Sequence, residues 1–216
     1  MNIDRIVNKY FKDKTLPNIE VFDDKNIFQV YTDIVNMLKR YPDIELSVLQ
    51  ALSYCFYEVL DNVLTHSHKT NGTVITQYLP ENSAIKILVA DDGIGIRASL
   101  AENEIYSTIK EDEAIKTCIK DRVTDGKGMG FGLYSTLCLI RNAGIHFEIH
   151  SGNYILTSDG NQEYITKTDF WQGTIIYMEL HSDKEIDPNN VLEYRTDAEN
   201  DFNERFLDID DLENLW

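Results

Sequence analysis

Apolar residues recur along this chain at two spacings, and the switches between them outline its elements. From Glu45 to about Ser67, Leu52, Phe56, Val59, Leu60 and Val63 fall three and four residues apart, the period that gives a helix one buried face. The same period predicts an amphipathic helix at the N-terminus and another from about Ile27 to Arg40. Pro42 stops that second helix, because a proline disfavours helix in the residue before it. A period of two predicts strands around Ile19 to Phe22 and over Thr73 to Leu79. "AIKILVADD", Ala84 to Asp92, begins alternating and becomes continuously apolar, as a strand entering a buried layer does. Leu133, Leu137, Ile140 and Ala143 return to the helical period, with Gly144 as the expected C-cap. Strands are expected at Ile145 to His150, Tyr154 to Thr157 and Thr174 to His181, with a short alternation around Tyr164 to Thr166.

Two segments lack either period. Arg97 to Asp125 is polar and weakly helical, the pattern of a mobile surface segment. Asp183 to Trp216 holds twelve acidic and three basic residues, which reads as a solvated tail or capping helix. Its last apolar residues, Leu212, Leu215 and Trp216, also suit docking into a partner's groove. The division expected is an N-terminal extension (1–44) packed on a main domain (45–182), followed by the acidic tail (183–216).

Composition narrows the function classes. With 43% hydrophobic residues in 216, the chain supports a sizeable core. A formal charge of −17 argues against nucleic-acid backbone binding, so an anionic ligand must be held locally by backbone amides, a helix start or a metal ion. No apolar run reaches membrane-spanning length, and the N-terminus lacks the apolar centre of a secretory signal. A soluble cytoplasmic protein is expected. Cys55, Cys118 and Cys138 are too widely spaced for a zinc site and read as reduced core or boundary residues.

Three constellations carry candidate chemistry. In "YEVLDNVLTHS", Glu58, Asn62 and His66 stand at i, i+4 and i+8, one stripe along the edge of the apolar face. Asn62 offers an oxygen to a hard cation such as Mg²⁺, and Glu58 can take a proton from water or a hydroxyl. An ordinary amphipathic helix with a polar flank has the same pattern. In "VADDGIGI", Asp91 ends an apolar strand, where a buried carboxylate needs a donor such as the exocyclic amine of adenine. Gly93 and Gly95 permit a tight turn against a flat ring, with Ile94 and Ile96 as apolar surface; a plain strand-ending turn is the alternative. In "DGKGMGFGLYS", glycine occupies every second position from Gly126 to Gly132. This is neither a P-loop nor a dinucleotide fingerprint, yet it opens a helix, whose free N–H groups suit phosphate. A flexible joint fits the stretch equally well.

The order of these motifs is more specific than any one of them. A helix with Glu-x-x-x-Asn, a strand ending in DxGxG, a charged segment, GxGxGL opening a helix, and then "GTIIYMEL" resembles the GHKL superfamily of ATP-binding domains. "EVLDN" is similar to that family's N box, "DDGIG" and "GMGFGL" to its two glycine boxes, and Gly173-Thr174 to its late Gly-Thr. The resemblance spans roughly Glu45 to His181. It implies the Bergerat fold, an α+β two-layer sandwich whose mixed, mostly antiparallel sheet is covered on one face by helices. It further implies that Asp91 receives the adenine amine, with Thr174 and Gly95 assisting through water and Gly93 and Ile96 beside them. Asn62 would bind Mg²⁺, and Gly128, Gly130, Gly132 and Leu133 would form the phosphate loop. Arg97 to Gly126 would be the lid, and Lys127 a solvated lid lysine or a contact to the terminal phosphate.

Within the superfamily, none of the five histidines precedes Glu58, which argues against a self-sufficient histidine kinase. At 216 residues the chain is also too short for the added domains of topoisomerase, chaperone or repair relatives. A free-standing ATP-binding protein most similar to the anti-sigma-factor serine kinases is expected, with Glu58 as general base. ATP and Mg²⁺ are the expected cofactors and a small antagonist-like or signalling protein the expected partner; a homodimer stays open. The alternatives are a non-catalytic ATP-binding interaction module and the detached catalytic part of a split histidine kinase.

Overall fold

The computed structural model describes residues 1–13, 15–127, 133–134, 136–137, 145–159 and 162–185. Asn2 starts the first helix, α1 (Ile3–Tyr10), by accepting the Arg5 N–H on its side-chain oxygen at 3.0 Å. Between β1 (Asn18–Asp23) and α2 (Ile27–Lys39), two short side chains close the turn. Asp23 Oδ1 accepts the N–H groups of Lys25 and Asn26 at 2.9 and 3.1 Å, and Asn26 Oδ1 accepts that of Asp23 at 2.7 Å. The long expected helix is α3 (Leu46–His66), 21 residues. Its start is fixed from outside, because the Glu45 N–H donates to Ser182 O at 2.8 Å.

Among the described residues, four further strands join β1 in one sheet: β2 (Asn71–Leu79), β3 (Ala84–Ala90), β4 (His146–Ser158) and β5 (Glu163–His181). The order is β1-β2-β3-β5-β4, and every strand pair is antiparallel. Alternation sorts the side chains to two faces. On one face lie Val74, Ile87, Val89, Ile149, Ile176 and Met178, and against them α2 sets Val30, Ile34 and Leu38 while α3 sets Leu52, Phe56, Val59 and Leu60. Leu38, Leu52, Phe56, Val59 and Leu60 are fully enclosed, and each such side chain contributes about 1.5–3 kcal/mol relative to leaving it in water.

The other face carries a second, smaller core. Ile75 pairs with Leu88 and Leu88 with Tyr177, so the three form a row across β2, β3 and β5. Helix α1 covers this row with Ile6, Tyr10 and Phe11, and the Tyr10 and Tyr177 rings lie 4.8 Å apart. The sheet is therefore helix-covered on both sides, with α2 and α3 as the larger layer.

The late strands expected separately are continuous. Ile145–His150 and Tyr154–Thr157 belong to one strand, β4, whose register shifts at Ser151, Gly152 and Tyr154. Gly152 takes φ +60° there and Gly173, in the facing stretch of β5, takes φ +89°, so the hairpin bends without ending. The polar segment after β3 has short elements with apolar anchors. It holds α4 (Ile96–Leu100), a 3₁₀ turn at Glu104–Tyr106 and α5 (Glu111–Thr117), in which Ala114 and Ile115 are enclosed. Beyond the glycine stretch Leu133, Tyr134, Thr136 and Leu137 are helical, as expected. Ile140, Ala143, Gly144 and Cys138 lie outside the described residues, as does the tail from 186 onward.

Candidate functional site

The end of α3, the end of β3 and the bend in β5 meet at one place. Asp91 follows β3 directly and is 3% exposed. Its N–H donates to Thr174 O at 2.9 Å, and its carbonyl accepts the Trp171 Nε1–H at 3.3 Å, so both backbone groups are tied to β5. Its carboxylate Oδ1 accepts the Gly93 N–H at 2.7 Å. Burial pushes the Asp91 carboxyl up to about 6, although the backbone hydrogen bonds from Gly93 and Thr174 work in the opposite direction. A carboxylate held this way gains from a further donor.

Around it the chain passes too close for side chains. A Cβ at Gly93 would run into the Ser67 carbonyl and side chain, and one at Gly173 into the Asp91 carbonyl. Gly95, at φ +78°, would place a Cβ 2.8 Å from Ser151 Oγ. Hydrogen bonds lock the same contacts. The Ile94 N–H donates to Ser67 O at 3.0 Å, which joins the glycine turn to the end of α3. The Ile96 N–H donates to Ser151 Oγ at 3.0 Å, and that hydroxyl donates to Gly173 O at 2.8 Å. Gln172 Nε2 also donates to Gly93 O. Asp91, Gly93, Gly95, Ile96 and Thr174 are thus brought together. Ile96 and Thr174 are half-buried, and Leu133 is half-buried against the main core.

Glu58 and Asn62 stand half-buried on α3, upstream of the Ser67 contact. At 1.5 Å per residue, Asn62 lies about 6 Å and Glu58 about 12 Å along the axis from His66. Asn62 makes no side-chain hydrogen bond to another described residue, leaving its amide oxygen available. One amide oxygen suits Mg²⁺, which keeps several waters and takes its other ligands from phosphates. Gly128, Gly130 and Gly132 lie outside the described residues.

Sequence reasoning did not single out Ser67, Ser99, Ser151, Trp171 or Asp125 as site residues. Ser67 and Ser151 have no signature, since each acts only because two distant segments meet at it. Asp125 had a visible signal in the "DG" that opens the glycine stretch. It is 6% exposed, and three groups converge on its carboxylate. His66 Nδ1 lies 2.7 Å from Oδ2, Ser99 Oγ donates to Oδ2 at 2.9 Å, and the Lys127 N–H donates to Oδ1 at 3.0 Å. Burial alone would raise this carboxyl, but the hydrogen bonds from His66, Lys127 and Ser99 hold it below the usual carboxylate range. Lys127 itself is engaged: Nζ lies 2.8 Å from Glu102 Oε2, whose other oxygen is 2.7 Å from His68 Nε2.

A cavity of about 210 Å³ opens beside the glycine turn, lined in part by Arg97, Glu111, Gly152, Phe170 and Gln172. Gly95, Ser151, Trp171 and Gly173 of the Asp91 cradle also line it, so it adjoins the place where the expected adenine contacts gather, although Asp91, Asn62 and Thr174 do not line it. Cys55 and Cys118 are free thiols, each pushed up to about 12 by burial, in line with inert packing roles. No described helix is long and apolar enough to cross a membrane.

A family model described as "Histidine kinase-, DNA gyrase B-, and HSP90-like ATPase" matches residues 48–183. The comparison with curated proteins returns no match.

Proposed function

Because the chain belongs to the histidine kinase-, DNA gyrase B- and HSP90-like ATPases, we propose that its ATP-binding domain serves a protein serine kinase or an ATP-dependent partner-binding switch. The observation that carries this reading is the cradle at Asp91. A nearly enclosed carboxylate is backed by three glycine positions with no room for a Cβ, and it joins the end of the helix that bears Glu58 and Asn62.

Each residue then has a chemical task. Asp91 accepts the adenine amino group, and Thr174 and Gly95 assist through water. Asn62 supplies an oxygen to Mg²⁺, which when bound neutralises phosphate charge. Glu58 takes the proton of an attacking serine hydroxyl as its oxygen bonds to the γ-phosphorus; the bond from that phosphorus to the ADP oxygen breaks, and ADP leaves with the pair. Gly128, Gly130 and Gly132, in the expected phosphate loop, would offer backbone N–H groups to the transferring group.

Calorimetry with Mg-ATP tests the binding half. Wild type should bind, and Asn62→Ala and Asp91→Asn should each weaken binding by on the order of tenfold or more, the loss of one charge-assisted contact. Undetectable binding by wild type overturns the proposal. Incubation with γ-labelled ATP and co-purifying proteins tests the rest. Acid-stable phosphoserine on a partner, abolished by Glu58→Gln, marks the kinase. Acid-labile phosphohistidine marks a split histidine kinase, and ATP-dependent association without label marks the switch.

A further inference from the structure

Trp171 belongs both to the Asp91 cradle and to the core on the second face of the sheet. Its side chain is nearly enclosed and packs in one cluster with Ile6 of α1, Ala90 and Ile175. Its Nε1–H donates to the Asp91 carbonyl at 3.3 Å, a bond that replaces one the sheet would otherwise make. The register of β3 and β5 runs to Ala90 opposite Ile175, so Asp91 stands opposite Thr174. The Asp91 N–H donates to Thr174 O at 2.9 Å, and an antiparallel pair bonded in this way ordinarily returns a second bond from the Thr174 N–H to the Asp91 carbonyl. Here the Thr174 N–H bonds the Asp91 carboxylate instead, and the indole takes the carbonyl.

Helix α1 covers that indole. The Arg5 guanidinium lies 5.8 Å from the ring centre, and Arg5 Nη1 donates to Phe170 O at 3.5 Å. An eight-residue helix is not stable alone, so α1 has two states, seated on the sheet and unfolded. We propose that Trp171 is a positioning residue that couples the seating of α1 to nucleotide binding at Asp91. This rests on the ATP-binding reading above. With α1 seated, the indole is held in place and the Thr174 N–H steadies the carboxylate that accepts adenine. With α1 lifted, the indole loses its cover and the enclosed Asp91 carbonyl loses its donor. An unpaired buried carbonyl is costly, so the Thr174 N–H returns to it and leaves the carboxylate. Whatever lifts α1 therefore loosens nucleotide, and nucleotide holds α1 down by the same factor. The effect falls at the adenine end, which ATP and ADP share.

Hydrogen-exchange mass spectrometry and calorimetry on the full chain read the two directions of this coupling. Saturating Mg-ATP and Mg-ADP should each slow amide exchange across residues 3–11 of wild type by about fivefold or more, the low end of a typical coupling between sites. Trp171→Phe keeps an aromatic ring without the N–H donor. Its affinities for ATP and ADP should fall by one common factor of about fivefold or more, and nucleotide should no longer slow exchange in α1. Ile6→Ala, a change in α1 itself, should weaken both nucleotides alike, and Ile6→Val, which keeps most of the packing, should restore both affinities. A loss confined to ATP in either variant puts the effect at the phosphates and overturns the proposal. The wild-type exchange measurement needs no variant to fold: if nucleotide binds and α1 exchanges as before, the coupling falls and the ATP-binding reading stands. If wild type binds neither nucleotide, both fall.

Discussion

At Asp91 the raised carboxyl, at about 6 rather than the usual 3.8, sets a sign for pH dependence. The folded chain favours the protonated form, so the group's contribution to stability is full below about 4 and is lost as pH rises through about 6. An adenine amine needs the ionised form as acceptor. ATP binding should therefore weaken as pH falls from 7 to 5, while Asp91→Asn should bind weakly at pH 7 and change little across that window. Calorimetry across the range checks this, and an equal slope in the variant would mean another group titrates. The residue's identity as a candidate was legible, because a carboxylate ending an apolar strand before Gly-x-Gly is an unusual pattern. Its energetic state was not, since the enclosure comes from Trp171, Gly173 and Thr174, about 80 positions away along the chain. The contrast between Asn62 and Ser67 makes the same point. Asn62 stands on a helix stripe that can be counted from the sequence, whereas Ser67 matters only because Gly93 packs on it.

Among the elements, α1 is the one whose role the sequence left open. Its period announced an amphipathic helix, but not that it would lie on the far face of the sheet, over Ile75, Leu88 and Tyr177. Ile6 is 1% exposed, Arg5 sits 5.8 Å from the centre of the Trp171 ring, and Arg5 Nη1 donates to Phe170 O at 3.5 Å. Truncating such a side chain costs about 2–5 kcal/mol when the surroundings do not collapse. Ile6→Ala should therefore speed amide exchange throughout α1 while leaving α3 protected, because the two helices pack on opposite faces and open separately. Hydrogen-exchange mass spectrometry reads both at once, and equal acceleration in α3 would show a single cooperative unit instead. The late strands failed differently. The expected strands left "SGN" (151–153) and "WQG" (171–173) between them. Facing one another in β4 and β5, they form the bend that supplies Ser151 and Gly173 to the site.

Taken as a whole, the molecule presents a strongly negative surface to an anionic ligand, and the two charges repel at long range. Mg-ATP should associate faster as ionic strength rises from about 0.01 to 0.15 M, since the Debye length falls from about 30 to 8 Å and screens that repulsion. Stopped-flow measurement checks the direction. A rate that falls with salt would mean that a local positive field outweighs the net charge. The opposite trend is what a basic nucleotide-binding surface would give, and this chain lacks the composition for one. By itself, the sequence determined the periods, and through them α2, α3 and β1 to β3 to within a residue or two, together with the residue types that suit a nucleotide and the order in which they occur. Those are local properties, written in spacing and side-chain chemistry. The tertiary structure alone decided that the ends of α3 and β3 meet the bend of β5, that Asp91 is enclosed, that α1 covers the second face, and that His66 meets Asp125. These depend on which distant segments the sheet order β1-β2-β3-β5-β4 makes neighbours, and no local pattern along the chain records that order.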